Sequence, residues 1–250
     1  MKKTILAANW KMYLDEDTSI DFVKKMNSNG ESFSNSEVIL FPAHTCIPQV
    51  QQELEITCVH IEDIKIGMQD CDTHTKGAYT GAVSLHSLSN IDFCIVGHSE
   101  RRLLYNESDE IVKNKLETVI NNNVNAILCI GETEEQKNDG NTFNIIDTQL
   151  SVLPKDITRG LTIAYEPVWS IGSGELPSNE YIEDVLSYIK SKLKSLYSDE
   201  IVEKINLLYG GSVDKDNVNR LLEIKLVDGF LIGSASANFE SFKAIADKLN

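Results

Sequence analysis

The chain has 250 residues, 42% of them hydrophobic and 24% charged, with a formal net charge of −15 and a pI of about 4.7. That length suits one barrel or one large α/β domain, and no apolar run approaches the roughly 20 residues of a membrane span. So acidic a chain is not expected to bind nucleic acid or an anionic membrane, and an anionic substrate would need locally supplied positive potential.

The first residues have a basic tip, but the apolar stretch behind it is too short for a signal peptide and runs into Asn9, Trp10 and Lys11. It reads as the first strand of a cytoplasmic protein. Strand-like runs follow at Thr4–Asn9, Glu37–Phe41, Ile64–Met68, Phe93–Val96, Ala126–Ile130, Leu161–Tyr165, Ile205–Tyr209 and Gly229–Ile232. Helix-like stretches lie between them, most clearly Thr18–Ser28, Ser108–Asn121, Asn179–Leu196, Asp216–Leu222 and Phe239–Leu249. In Asn179–Leu196 the residues Ile182, Val185, Leu186, Ile189 and Leu193 keep helical spacing. Eight such alternations predict an α/β chain folded as one closed, eight-stranded parallel (β/α)8 barrel over residues 1–250. No Gly/Ser/Pro linker marks a second domain. The five cysteines are scattered and form no C-x-x-C pair, and Cys94 and Cys129 read as buried thiols.

In such a barrel, functional residues stand at the carboxyl ends of strands. After the first strand, alternation puts Ala7, Asn9 and Lys11 on one face, so Asn9 and Lys11 project into the barrel mouth. A lysine there is costly unless it meets an anion. His98 directly follows the fourth strand and precedes Ser99, a good helix N-cap. A helix start disfavours positive charge, which favours a neutral imidazole able to donate a hydrogen bond. The run Glu100, Arg101, Arg102 reads on its own as a surface ion-pair cluster. After the sixth strand, Glu166 precedes Pro167, which biases it to extended backbone. A loop with Gly172 and Gly174 follows. This is the pattern of a general base beneath a lid. Glycines after the seventh strand (Gly210, Gly211) and the eighth (Gly233) let backbone N–H groups approach a phosphate. There is no zinc pattern, acidic calcium loop, Walker P-loop, dinucleotide fingerprint or serine nucleophile elbow. Neither metal nor cofactor is expected.

N-W-K-M at Asn9–Met12, G-A-Y-T-G at Gly77–Gly81, G-H-S-E-R-R at Gly97–Arg102, C-I-G-E-T at Cys129–Thr133, Y-E-P-V-W-S-I-G-S-G at Tyr165–Gly174, Y-G-G-S-V at Tyr209–Val213 and the D-G-F-L-I-G run ending at Gly233 together resemble the triosephosphate isomerase family, in that family's order and over essentially the whole chain. The resemblance implies a TIM barrel that interconverts dihydroxyacetone phosphate and D-glyceraldehyde 3-phosphate through an enediolate, in glycolysis and gluconeogenesis. It implies Glu166 as the base, neutral His98 as the carbonyl electrophile, Lys11 as the stabiliser of negative charge and Glu100 in support of the proton shuttle. This is the family's known chemistry. Substrate contacts implied are Asn9, Lys11, Gly172, Ser212, Gly233 and Ser234, with a lid from Pro167 to about Pro177. It also implies a homodimer, with Asp70–Gly81 as the arm reaching the neighbouring subunit.

Several positions depart from the family. Glu175-Leu176-Pro177 replaces the usual hinge, and Pro177 should stiffen it. Ala82 stands where the family has an acid that pairs with an arginine across the dimer, which would leave Arg101 without that partner. The second glycine after strand eight is Ser234, and Tyr13 follows N-W-K-M. These differences leave room for an isomerase of a related sugar phosphate, such as a tetrulose phosphate, or for a barrel that binds sugar phosphate without turnover.

Overall fold

A computed structural model describes residues 3–57, 64–157, 160–171 and 175–250 of the chain. Eight parallel strands pair in sequence order and close, β8 back onto β1. They are β1 Thr4–Asn9, β2 Ser36–Phe41, β3 Ile64–Met68, β4 Phe93–Val96, β5 Asn125–Ile130, β6 Leu161–Tyr165, β7 Asn206–Tyr209 and β8 Gly229–Ile232. The helices are α1 Glu16–Ser28, α2 Ile47–Thr57, α3 Ser99–Leu104, α4 Asp109–Asn121, α5 Glu134–Asn138, α6 Thr142–Leu150, α7 Asn179–Leu196, α8 Asp199–Val202, α9 Val218–Leu222 and α10 Phe239–Ala246. The expected (β/α)8 barrel is therefore present. Among the described residues no helix is long and apolar enough to cross a membrane.

Strand alternation divides the core into two layers. In β1, Ile5 and Ala7 join the barrel interior with Ile39, Ile127 and Leu231, while Leu6 and Ala8 pack outward against the helices. The small Ala7 thus faces inward, and Asn9, two residues on, enters the mouth on the same side. The five apolar residues predicted to line one face of α7 are all buried.

Helix ends follow their caps. The Asp15 carboxylate accepts from Thr18 N, while the Thr18 hydroxyl bonds back to the Asp15 backbone. The Ser108 hydroxyl caps α4 from outside the helix rather than beginning it. Helix α9 starts at Val218 and not at Asp216, because Asp214 Oδ1 accepts the N–H groups of Asp216 and Asn217 and holds them in a turn. The last expected helix ends at Ala246 and tightens into a 3-10 turn, Asp247–Leu249. Sequence reading signals the start of α3 at Ser99 but does not single out α2, α5, α6 or α8. Of these, α2 buries only Ile47 and Val50, and α5 buries nothing, so neither carries a full apolar stripe.

Candidate active site

The carboxyl ends of β1, β4 and β6 bring Lys11, His98, Glu100 and Glu166 together. Lys11 follows β1 with φ of +50°, a left-handed conformation that costs a non-glycine residue energy. Two side chains hold it there. Asn9 Oδ1 accepts its N–H at 3.1 Å, and Gln69 Nε2 donates to its carbonyl at 2.7 Å. The same Gln69 nitrogen donates to Phe41 O, tying β1, β2 and the end of β3 at one point. The Lys11 ammonium donates to Glu100 Oε1 at 2.5 Å.

The sequence suggested Ser99 as the cap of α3. The cap is instead His98, whose Nδ1 accepts the Glu100 N–H at 3.2 Å. An imidazole nitrogen that accepts a backbone N–H carries no proton, so the remaining proton sits on Nε2 and the ring is neutral. Nε2 faces Glu166 Oε1 at 3.2 Å. Ser99, first residue of the helix, gives its own N–H to Glu166 Oε2 at 2.9 Å. A chain of contacts therefore runs from Lys11 through Glu100 and His98 to Glu166, with His98, Glu166 and Asn9 buried.

Glu166 lies in a slot made by two glycines. A Cβ on Gly131 would stand 1.8 Å from the Glu166 carbonyl oxygen, and one on Gly210 would stand 2.8 Å from its Cγ. No side chain fits at either place. Gln149 locks Gly131 from behind, accepting its N–H and donating to its carbonyl. Beneath Glu166, burial pushes the Cys129 thiol well above its ordinary pKa, and the nearby carboxylate pushes it further, so Cys129 is a neutral neighbour and not a nucleophile.

The remaining predicted positions are less concentrated. Gly233 borders Lys11: a Cβ there would stand 3.3 Å from the Lys11 ammonium. Ser234 is exposed and opens a 3-10 turn after β8. Ser212 spends its hydroxyl on Ser170 O at 2.8 Å, holding the Val168–Ser170 turn. Gly172 and Gly174, like Cys58 and His60, lie outside the described residues. Pro177 is buried, and its carbonyl accepts from Arg220.

Arg101 does not lack partners: it reaches Asp70 at 3.0 Å and Glu107 at 2.7 Å in its own chain, where Lys115 joins both acids. Arg102 pairs with Asp109. The ion-pair reading thus holds for both arginines, while Glu100 turns to the site. Cys46, Cys71, Cys94 and Cys129 are buried free thiols. His44 lines the same groove as Asn9, Lys11, His98 and Glu100, while His74 pairs with Asp72 and stacks on Tyr79 and His86 sits in a 3-10 turn. Gln69, Gln149 and the Ser99 N–H were not marked by sequence reasoning. Their only signal is tertiary.

The family model described as triosephosphate isomerase matches residues 4–249. Similar proteins named triosephosphate isomerase include one from Clostridium tetani, 36% identical over 99% of this chain and 97% of its own length. Another, from Chloroherpeton thalassium, is 35% identical over 98% of each chain. A third, from Endomicrobium trichonymphae, is 36% identical over 97% of each.

Proposed function

The chain belongs to the triosephosphate isomerase family, and from that premise we propose that it interconverts dihydroxyacetone phosphate and D-glyceraldehyde 3-phosphate, with Glu166 as the base. It is an isomerase of the aldose–ketose class. The observation carrying the residue assignment is the neutral His98 with its Nε2–H turned to the same space as the Glu166 carboxylate.

Glu166 takes a proton from the substrate carbon beside the carbonyl. The C–H electron pair becomes a carbon–carbon double bond, and the carbonyl π pair moves to oxygen. His98 Nε2–H and the Lys11 ammonium stabilise that oxyanion. The proton then returns from Glu166 to the neighbouring carbon, while His98 moves protons between the two oxygens. Glu100, bonded to Lys11 and adjacent to His98, orients both. Asn9 holds the backbone that aims Lys11. Gly233, beside the ammonium, together with Ser234, Ser212 and Gly172, takes the phosphate, and the Pro167–Pro177 segment covers it against water. Residues 1–250 then act as one barrel domain, as a match over 4–249 supports, in a cytoplasmic glycolytic and gluconeogenic role.

A coupled isomerase assay tests the reading. Turnover of triose phosphates at a higher kcat/KM than tetrulose phosphates is expected, and the reverse preference would overturn it. Turnover no higher than that of Glu166→Ala would leave a binding barrel only. No observation here favours either alternative.

We infer further that two copies associate. Met12, 94% exposed, and Leu104, 71% exposed, border a groove of about 860 Å³ that opens beside Lys11 and His98. Uncovered apolar surface next to a functional site suits an interface. The Asp70–Gly81 loop, stiffened by His74 stacked on Tyr79 at 3.7 Å, is the arm that a partner's groove would take. Sedimentation velocity across a dilution series is expected to give a dimer. A monomer at every concentration would remove this inference.

A further inference from the structure

Glu132, just past β5, is fully buried, and among the described residues its carboxylate is hydrogen-bonded by neutral groups alone: Trp169 Nε1–H at 2.8 Å, the Tyr181 hydroxyl at 2.9 Å and the Tyr165 hydroxyl at 3.1 Å. Burial pushes the Tyr165 phenol well up and the Tyr181 phenol up to about 12, so both remain O–H donors. A buried carboxylate is costly when hydrogen bonds are its only compensation. A positive charge meets the Trp169 ring on its face. Lys137, on α5, places its ammonium 3.3 Å from the Trp169 ring centroid and 5.8 Å from that of Tyr181. That ammonium makes no hydrogen bond or ion pair among the described residues. An indole that donates its N–H to an anion is richer in π density, which strengthens a cation on its face.

Trp169 is therefore gripped at its edge by Glu132 and on its face by Lys137. It lies three residues beyond Glu166, in the Val168–Ser170 turn. That turn is also held by Val168 N donating to Glu132 O at 3.0 Å. We propose that Lys137 is a positioning residue for Glu166: with Glu132 it clamps Trp169 and so holds the Pro167–Ser170 turn, and the carboxylate before it, in the resting arrangement on the Ser99 N–H. The proposal rests on the assignment of Glu166 as base. To reach a substrate carbon, Glu166 must leave Ser99, so the clamp sets how much substrate-binding energy is spent on release.

Lys137→Met keeps the apolar stem and removes the charge. It is expected to tighten KM for dihydroxyacetone phosphate, and Kd for the unreactive glycerol 3-phosphate, by about 2- to 30-fold with kcat changed less than twofold. Isothermal titration calorimetry reads the Kd in every variant, including Trp169→Phe, which lacks one of the chain's two tryptophans. Lys137→Arg, which can also cover a ring, should restore wild-type values. Trp169→Phe, which keeps a ring but loses the N–H, should shift Kd in the same direction, and it stands in if Lys137→Met does not fold. Unchanged KM and Kd in Lys137→Met and Trp169→Phe, even with a lowered Tm, would reduce the clamp to a purely structural contact and overturn the proposal. So would an arginine variant that behaves like the methionine one. Failure of the wild type to turn over triose phosphates would instead overturn the functional assignment, a result the glycerol 3-phosphate titration distinguishes.

Discussion

Glu166→Asp is expected to lower kcat by about 10²- to 10³-fold while leaving KM within a few-fold of wild type. The substitution keeps the acid and withdraws it by one methylene, roughly 1.5 Å. Proton abstraction from carbon depends steeply on such a distance, and a misplacement of about 1 Å can cost about 100-fold. The loss corresponds to about 2.7–4 kcal/mol of transition-state stabilisation. The protein has little means of following the shortened side chain. Gly131 and Gly210 press against Glu166 where no Cβ fits, and Gln149 locks the Gly131 peptide from behind. The backbone of Glu166 is also pinned by its N–H on Ile130 O at 2.8 Å. Steady-state kinetics with a Tm measurement would check this. A variant with native Tm and a kcat within threefold of wild type would exclude Glu166 as the base.

Asn9, Lys11, His98 and Glu166 are readable because each stands next to a strand end, whereas Glu100 by itself reads as part of a surface ion-pair run. Alternation along β1 located Asn9, and the apolar run of β4 delivered His98 to the mouth. Strand periodicity could not show how Lys11 is held, because its left-handed backbone depends on Gln69, 58 residues away, reaching its carbonyl. The cap of α3 was misassigned for a related reason. Serine is the commoner cap, but His98 fills the role through Nδ1, which frees the Ser99 N–H for Glu166. That exchange fixes the histidine tautomer, and no local propensity encodes it. The concern over Arg101 arose from a single position, Ala82. Within the chain Arg101 is satisfied by Asp70 and Glu107, so Ala82 leaves no orphaned charge there. Glu132 sits in the C-I-G-E-T run with no local signal of a role, since its partners come from β6, from the turn after it and from α7, with Lys137 of α5 acting through the Trp169 ring.

The site must draw a doubly negative substrate into a protein with a net charge of −15, and this gives Lys11 the second large effect. Lys11→Met is expected to lower kcat/KM by about 10³- to 10⁵-fold. One part is the loss of a donor to the developing oxyanion, about 10²- to 10³-fold. The other is a charge-assisted bond to phosphate, about 1.5–3 kcal/mol, or roughly 10- to 150-fold in KM. The substitution also strips Glu100 of its cation, leaving a carboxylate beside the path of an anion. Adding Glu100→Gln to Lys11→Met is therefore expected to recover part of the lost affinity, so the two changes do not add. Lys11→Arg preserves charge but puts a wider, planar head where a Cβ on Gly233 would already lie 3.1 Å from the Lys11 Cε, and it is expected to recover binding more than turnover. A Lys11→Met enzyme within tenfold of wild-type kcat/KM would mean that another group supplies the positive potential.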